Sequence, residues 1–204
     1  MKKRYLKFTL GVIKKYNPDL TDVQLDEMRY GLEGFYLMIT KMVVIIPLAF
    51  LLGVGKELIL MLIFYNLLRE NAGGLHATKS WMCLLSSSII FIFLPLLAKE
   101  IILSIEWKII FSIIGIILIF IYAPADTVKA PIIKKKNRDK KKFRSTLIAI
   151  VYSFICIFIK NNIVSNLILF GVYTEVILIL PITYKVFHLS YNNYKNYIPK
   201  YNFD

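Results

Sequence analysis

Apolar residues in this chain come in long runs, and the charged residues gather in the links between them. No other feature restricts the fold as much, because a backbone crossing lipid has no water to bond and must satisfy its own N–H and C=O groups. Hydrophobic residues make up 57% of the 204 residues, above the roughly 45–50% of a soluble domain. The expectation is an all-α membrane protein, a single helical bundle without a separate soluble domain. Two Cys give no disulfide framework.

Six spans are expected, at about 38–53, 57–69, 81–98, 101–122, 146–160 and 163–187, since a full crossing needs about 20 residues. The second and fifth are short, which suits tilting, polar extensions or a partly re-entrant segment. Ahead of them, Tyr5, Leu6, Leu10, Ile13 and Tyr16 recur at helical spacing among basic residues. This predicts an amphipathic helix lying on the membrane surface. The apolar run behind Met1-Lys-Lys-Arg stops at Lys14-Lys15, too short for a signal-peptide core. Asn17-Pro18-Asp19 breaks the helix, and Thr21 with Gln24 reads as a capping box for the next one, striped with Leu25, Met28, Leu32 and Phe35. The chain thus divides into interfacial helices (1–37), a bundle (38–187) and a tail (188–204).

The net charge is +13. Nucleic acid is not the partner this implies, because the basic residues follow the links of a membrane protein. Eight Lys or Arg lie up to Lys41 and nine in the 123–145 link, against one in each of the links at Lys56, Lys99 and Lys160. Basic links favour the cytoplasmic side. Six spans with both termini cytoplasmic put every rich link inside, the 69–83 link among them. The run Lys134–Arg144 suits either anionic lipid headgroups or the docking of an acidic substrate tail.

The 69–83 link holds Arg69, Gly73-Gly74, His76 and Cys83. A thiol and an imidazole in one polar link suggest a cysteine nucleophile with a general base. On one unbroken helix the pair would lie about 10.5 Å apart along the axis, with His76 leaning away from Cys83. Direct contact therefore requires a break, and Gly73-Gly74, Thr78 and Ser80 supply the means. With Ser80 as the cap, Cys83 falls in the first helical turn, where the helix dipole favours thiolate. Arg69 serves either as an interfacial anchor or as a charge for an oxyanion or substrate carboxylate. Glu175, near the middle of the last span, must be protonated, paired or facing a wet cavity. Asp126, Glu70 and Asn71 are candidates to orient His76. Cys156 and His188 read as structural. No phosphate-binding Gly loop is present, and no zinc site is expected.

The pattern Arg69…Gly74-x-His76-Ala77…Cys83 resembles that of the accessory gene regulator B family of membrane cysteine endopeptidases. Tyr122-Ala-Pro-Ala-Asp-Thr127 with Pro131 and the basic stretch, and Glu175 with Leu180-Pro181, are similar as well. The resemblance covers nearly the whole chain. It implies a bacterial cell-membrane protein that removes the acidic C-terminal tail of a short amphipathic quorum-sensing pro-peptide and promotes cyclisation to a thiolactone or lactone. It implies that His76 and Cys83 are catalytic, that Arg69 and Gly74 are needed for activity, that Lys134, Lys135 and Lys136 of the basic link take part in docking the substrate tail, and that the chain self-associates as a homodimer; no cofactor is expected. The alternative from another class is a small transporter or export channel, which would line a midplane path with polar residues.

Overall fold

The computed structural model describes residues 2–75, 80–128 and 131–195, the side chains of 22, 23, 27, 30 and 80–83 excepted. Of the described residues 81% are helical, as the apolar runs require. The chain forms two compact units, Met1–Leu48 and Ala49–Asp204.

In the first unit, α1 (Lys2–Tyr16) is the expected amphipathic helix, and α2 (Asp22–Leu51) begins behind the expected capping box. The Thr21 amide donates to Gln24 Oε1 at 3.0 Å, and the Gln24 amide donates back to Thr21 Oγ1 at 3.3 Å. Lys2 pairs with Glu33 at 2.5 Å, and the Tyr5 and Tyr36 rings lie 5.2 Å apart, so the first turn of α1 is fastened to α2.

The second unit contains α3 (Gly55–Ala72), α4 (Ser80–Glu100), α5 (Ile105–Tyr122), α6 (Lys135–Phe158), α7 (Asn162–Ile179) and α8 (Pro181–Val186). Helix α7 is its axis: eleven of its residues are buried, and α3, α4, α5 and α6 all pack on it. Gly171 permits a close approach to α3, with the Tyr65 amide nitrogen 3.5 Å from where a Cβ would sit. Polar contacts tie the ends. At one end Asn166 Nδ2 donates to the carbonyls of Ala98 and Ile101, and Lys108 Nζ donates to Asn162. At the other, the C-terminal ends of α3, α5 and α7 meet. Tyr152 of α6 donates to the Phe64 carbonyl at 3.0 Å midway along.

The first five expected spans each overlap one helix, and the sixth overlaps two. Among the described residues, three stretches are long and apolar enough to cross a membrane: Gln24–Leu51, Ile105–Tyr122 and Asn162–Ile179. Helix α3 carries Lys56, Glu57, Arg69 and Glu70, and α6 devotes its first three turns to the basic run. That run was expected as link, yet it is helical from Lys135, because Lys and Arg are good helix formers. The expected last span, 163–187, is also interrupted. Pro181 has no N–H for the Ile177 carbonyl, so α7 stops at Ile179 and α8 restarts at Pro181.

Candidate functional site

Two glycines shape the exit from α3. The Gly73 amide closes the last turn onto the Arg69 carbonyl at 3.0 Å, and the chain then turns at φ 74° for Gly73 and 105° for Gly74. Such backbone favours glycine, and the surroundings demand it. A Cβ on Gly73 would run into the Ala125 carbonyl oxygen. One on Gly74 would run into the Arg69 guanidinium and stand 2.8 Å from the Leu178 carbonyl oxygen.

Gly73 to Leu75 are held on both sides by backbone. Ala125 donates to the Ala72 carbonyl at 2.9 Å and accepts from Gly74 at 2.8 Å, a short parallel pairing. Leu75 donates to the Leu178 carbonyl at 3.0 Å. That carbonyl is free because the break at Leu180-Pro181 ends the α7 ladder. The Ile177 carbonyl, deprived of its donor by Pro181, takes the Thr183 hydroxyl at 2.5 Å instead. The helix break is therefore also the docking edge for the loop.

Arg69 completes the clamp. Its Nη2 donates to the carbonyls of Gly74 at 3.2 Å and Leu75 at 2.6 Å, and its Nη1 meets Glu175 Oε2 at 3.5 Å. The side chain is 14% exposed and that of Glu175 is fully buried. Arg69 is thus neither a headgroup anchor nor a free charge; it turns inward onto the two residues that precede His76. The planar fork reaches two carbonyls and a carboxylate together, which an ammonium does less well. Glu175 is paired, which is one of the three states expected of it. Its Oε1 has no hydrogen-bond partner among the described residues.

Asp126, also buried, faces the tail rather than open space. Its carboxylate accepts from the amides of Asn193 at 2.8 Å, Tyr194 at 3.0 Å and Ile132 at 3.4 Å, and lies 3.6 Å from Arg138. Its carbonyl accepts from the buried Tyr184 hydroxyl at 3.0 Å. Of the other candidates to orient His76, Asn71 bonds its own helix at Leu67, and the Glu70 carbonyl takes Lys141 at 2.7 Å.

A cleft of about 420 Å³ opens beside this segment, walled by Tyr122 and Pro124, by Arg138 and Lys142 one turn apart on α6, and by Tyr191 and Tyr194. The Arg138 guanidinium sits 3.4 Å above the Tyr194 ring. Lys134, Lys135 and Lys136 are exposed at the start of α6, one turn before Arg138. Burial pushes the Tyr191 hydroxyl above its ordinary range, and the neighbouring Tyr122 adds to the shift.

His76 lies outside the described residues, and of Cys83 only the backbone is described, as the fourth residue of α4. Helix α3 ends at Ala72, residues 73–75 leave the helix, and Ser80 is already in α4; the expected break between His76 and Cys83 falls on 76–79, outside the described residues. Cys156 is buried with its Sγ 3.0 Å from Ser165 Oγ, a tie between α6 and α7. Among the described residues, no three His, Cys, Asp or Glu side chains come together as metal ligands. The sequence reading did not single out Ala125, Arg138 or Tyr184. Ala125 acts through its backbone, and Tyr184 reads as one more aromatic residue in an apolar run.

A family model described as Accessory gene regulator B matches residues 7–179. An AgrB-like protein of Clostridium acetobutylicum is 34% identical over 172 residues, 84% of this chain and 82% of the relative. One from Listeria monocytogenes is 31% identical over 173 residues, 84% of each chain. Accessory gene regulator protein B of Staphylococcus aureus is 29% identical over 164 residues, 80% of this chain and 86% of the relative. No solved structure matches.

Proposed function

The chain belongs to the accessory gene regulator B family, and from that premise we propose that it is a membrane cysteine endopeptidase that matures a quorum-sensing pro-peptide. The observation that supports this reading is the non-helical turn 73–75 at the end of α3, whose Gly74 and Leu75 carbonyls are clamped by Arg69 immediately ahead of His76 in the sequence.

In this reading His76 takes the Cys83 proton, and the thiolate attacks the carbonyl that ends the future ring. His76 then returns the proton to the leaving amine. The acidic tail departs, leaving a thioester on Cys83. A Cys or Ser of the peptide attacks that thioester and closes the thiolactone or lactone without ATP, releasing Cys83. Water must be kept out, since hydrolysis would yield a linear peptide. Arg69, Gly73, Gly74 and Glu175 hold the backbone of the link. The exposed Lys134–Lys136 and the cleft bearing Arg138 and Lys142 suit the acidic tail. The remaining elements of the proposal are six spans, both termini and the site on the cytoplasmic face, contact with anionic inner-leaflet lipids, and a homodimer.

The test is co-expression with the pro-peptide encoded alongside. Wild type releases a product one water lighter than the linear fragment by mass spectrometry. Cys83→Ala and His76→Ala leave the pro-peptide intact. Continued cleavage in Cys83→Ala removes the proposal.

A further inference from the structure

We propose that Asp126 and Tyr184 form a latch through which the C-terminal segment sets the position of the catalytic loop, making both of them positioning residues for His76. The proposal rests on the peptidase reading above and goes beyond it, since the hold on the loop runs through the Ala125–Asp126 backbone.

The path is continuous. The Asn193 and Tyr194 amides, at the 3-10 turn Asn193–Lys195, donate to the two oxygens of Asp126, and Asn193 Nδ2 donates to its carbonyl at 3.3 Å. Tyr184, 1% exposed and edge-on to Tyr191 with centroids 5.1 Å apart, donates to the same carbonyl. Arg138 faces the carboxylate from α6, and Ile132 donates to it from the chain leading into α6. Asp126 therefore gathers three parts of the chain around one residue. The peptide bond before it carries the Ala125 carbonyl that accepts from Gly74. A rotation of that peptide breaks the bond that seats Gly74, and His76 is two residues further on.

The physical argument is one of satisfied groups. A buried carboxylate with one cation at 3.6 Å and three amide donors has no inexpensive alternative arrangement. A segment so determined is rigid, and rigidity is what a general base needs, because a displacement of about 1 Å costs about a hundredfold in rate. The Gly pair alone gives no such rigidity, since glycine has the widest conformational choice of any residue. Arg69 fixes the loop from the α3 side and Asp126 from the opposite side.

The experiment is alkylation of Cys83 by iodoacetamide in detergent micelles, followed site by site with mass spectrometry across the imidazole range around pH 6.5. Cys156, fully buried, is the internal reporter of folding. Wild type shows a rate limb near that pH which His76→Ala abolishes. If His76→Ala leaves the profile unchanged, the thiol–imidazole pair itself fails, and the latch with it. With the limb established, Asp126→Ala and Tyr184→Phe are expected to reduce it toward the His76→Ala profile while Cys156 stays unlabelled, and Asp126→Asn to fall between. Where Asp126→Ala exposes Cys156, the decision passes to Tyr184→Phe, which removes a single hydroxyl. A wild-type profile in Tyr184→Phe and in a folded Asp126 variant overturns the latch and leaves the peptidase reading standing.

Discussion

Replacing Gly74 by Ala tests the loop geometry most sharply, because two separate costs fall on one methyl group. Gly74 sits at φ 105°, and holding a non-glycine residue in such a region costs about 1–3 kcal/mol. The added Cβ also meets the Arg69 guanidinium, stands 2.8 Å from the Leu178 carbonyl oxygen and 3.2 Å from Ile179 Cγ2. Overpacking of that kind costs about 1–3 kcal/mol more. Gly53 is the control: φ is 71°, with nothing within 4 Å of its Cβ position. Gly53→Ala should therefore show the backbone cost alone, and Gly74→Ala about 2–6 kcal/mol in total. The assay is equilibrium unfolding of purified protein in mixed micelles, followed by helical circular dichroism. If Gly74→Ala costs no more than Gly53→Ala, the close approach of α3, the loop and the end of α7 is not as described.

Other outcomes follow from the same contacts. Arg69→Ala should destabilise by about 3–5 kcal/mol, since it leaves Glu175 buried without its cation. The double replacement Arg69→Met with Glu175→Leu should recover most of that stability by the same unfolding measurement, yet leave pro-peptide processing defective because the clamp on Gly74 and Leu75 is gone. Tyr152→Phe removes one hydrogen bond to the Phe64 carbonyl; it should cost about 1 kcal/mol in unfolding and leave processing intact. Tyr191 gives a pH dependence. Its folded-state pKa is raised by burial and by Tyr122, so the unfolded chain loses this proton first. Stability is then retained at neutral pH and declines above about pH 10. A pH series of thermal unfolding should show that decline weakened in Tyr191→Phe.

Segregated charge and periodicity made the helices legible, along with the Thr21 cap, a turn at Gly73-Gly74 and the short set of states open to Glu175. They did not reveal the partner of Glu175, because Arg69 lies 106 residues away in sequence and the pairing depends on α3 packing along α7. Nor did they mark where α7 ends. Pro181 was visible, but a proline in an apolar run is compatible with a kinked span, and only the docking of Leu75 on the Leu178 carbonyl makes it a break with a purpose. Asp126 was named for its charge and its nearness to the link. Its hold on the tail runs through the backbone amides of Asn193 and Tyr194, and backbone donors carry no mark in a sequence. The helical start of the basic run was overlooked because a row of Lys looks like a solvated link, whereas Lys141 and Lys142 lean on the Glu70 carbonyl and the Phe120 ring.

The covalent intermediate is the most direct measurement. Purified protein is mixed with its pro-peptide, quenched in acid and weighed intact, then mapped by peptide. The account predicts an acyl adduct on Cys83 equal in mass to the N-terminal peptide fragment, labile to hydroxylamine and missing from Cys83→Ala. Tail release with no adduct on Cys83, together with undiminished turnover in Cys83→Ala, would contradict it.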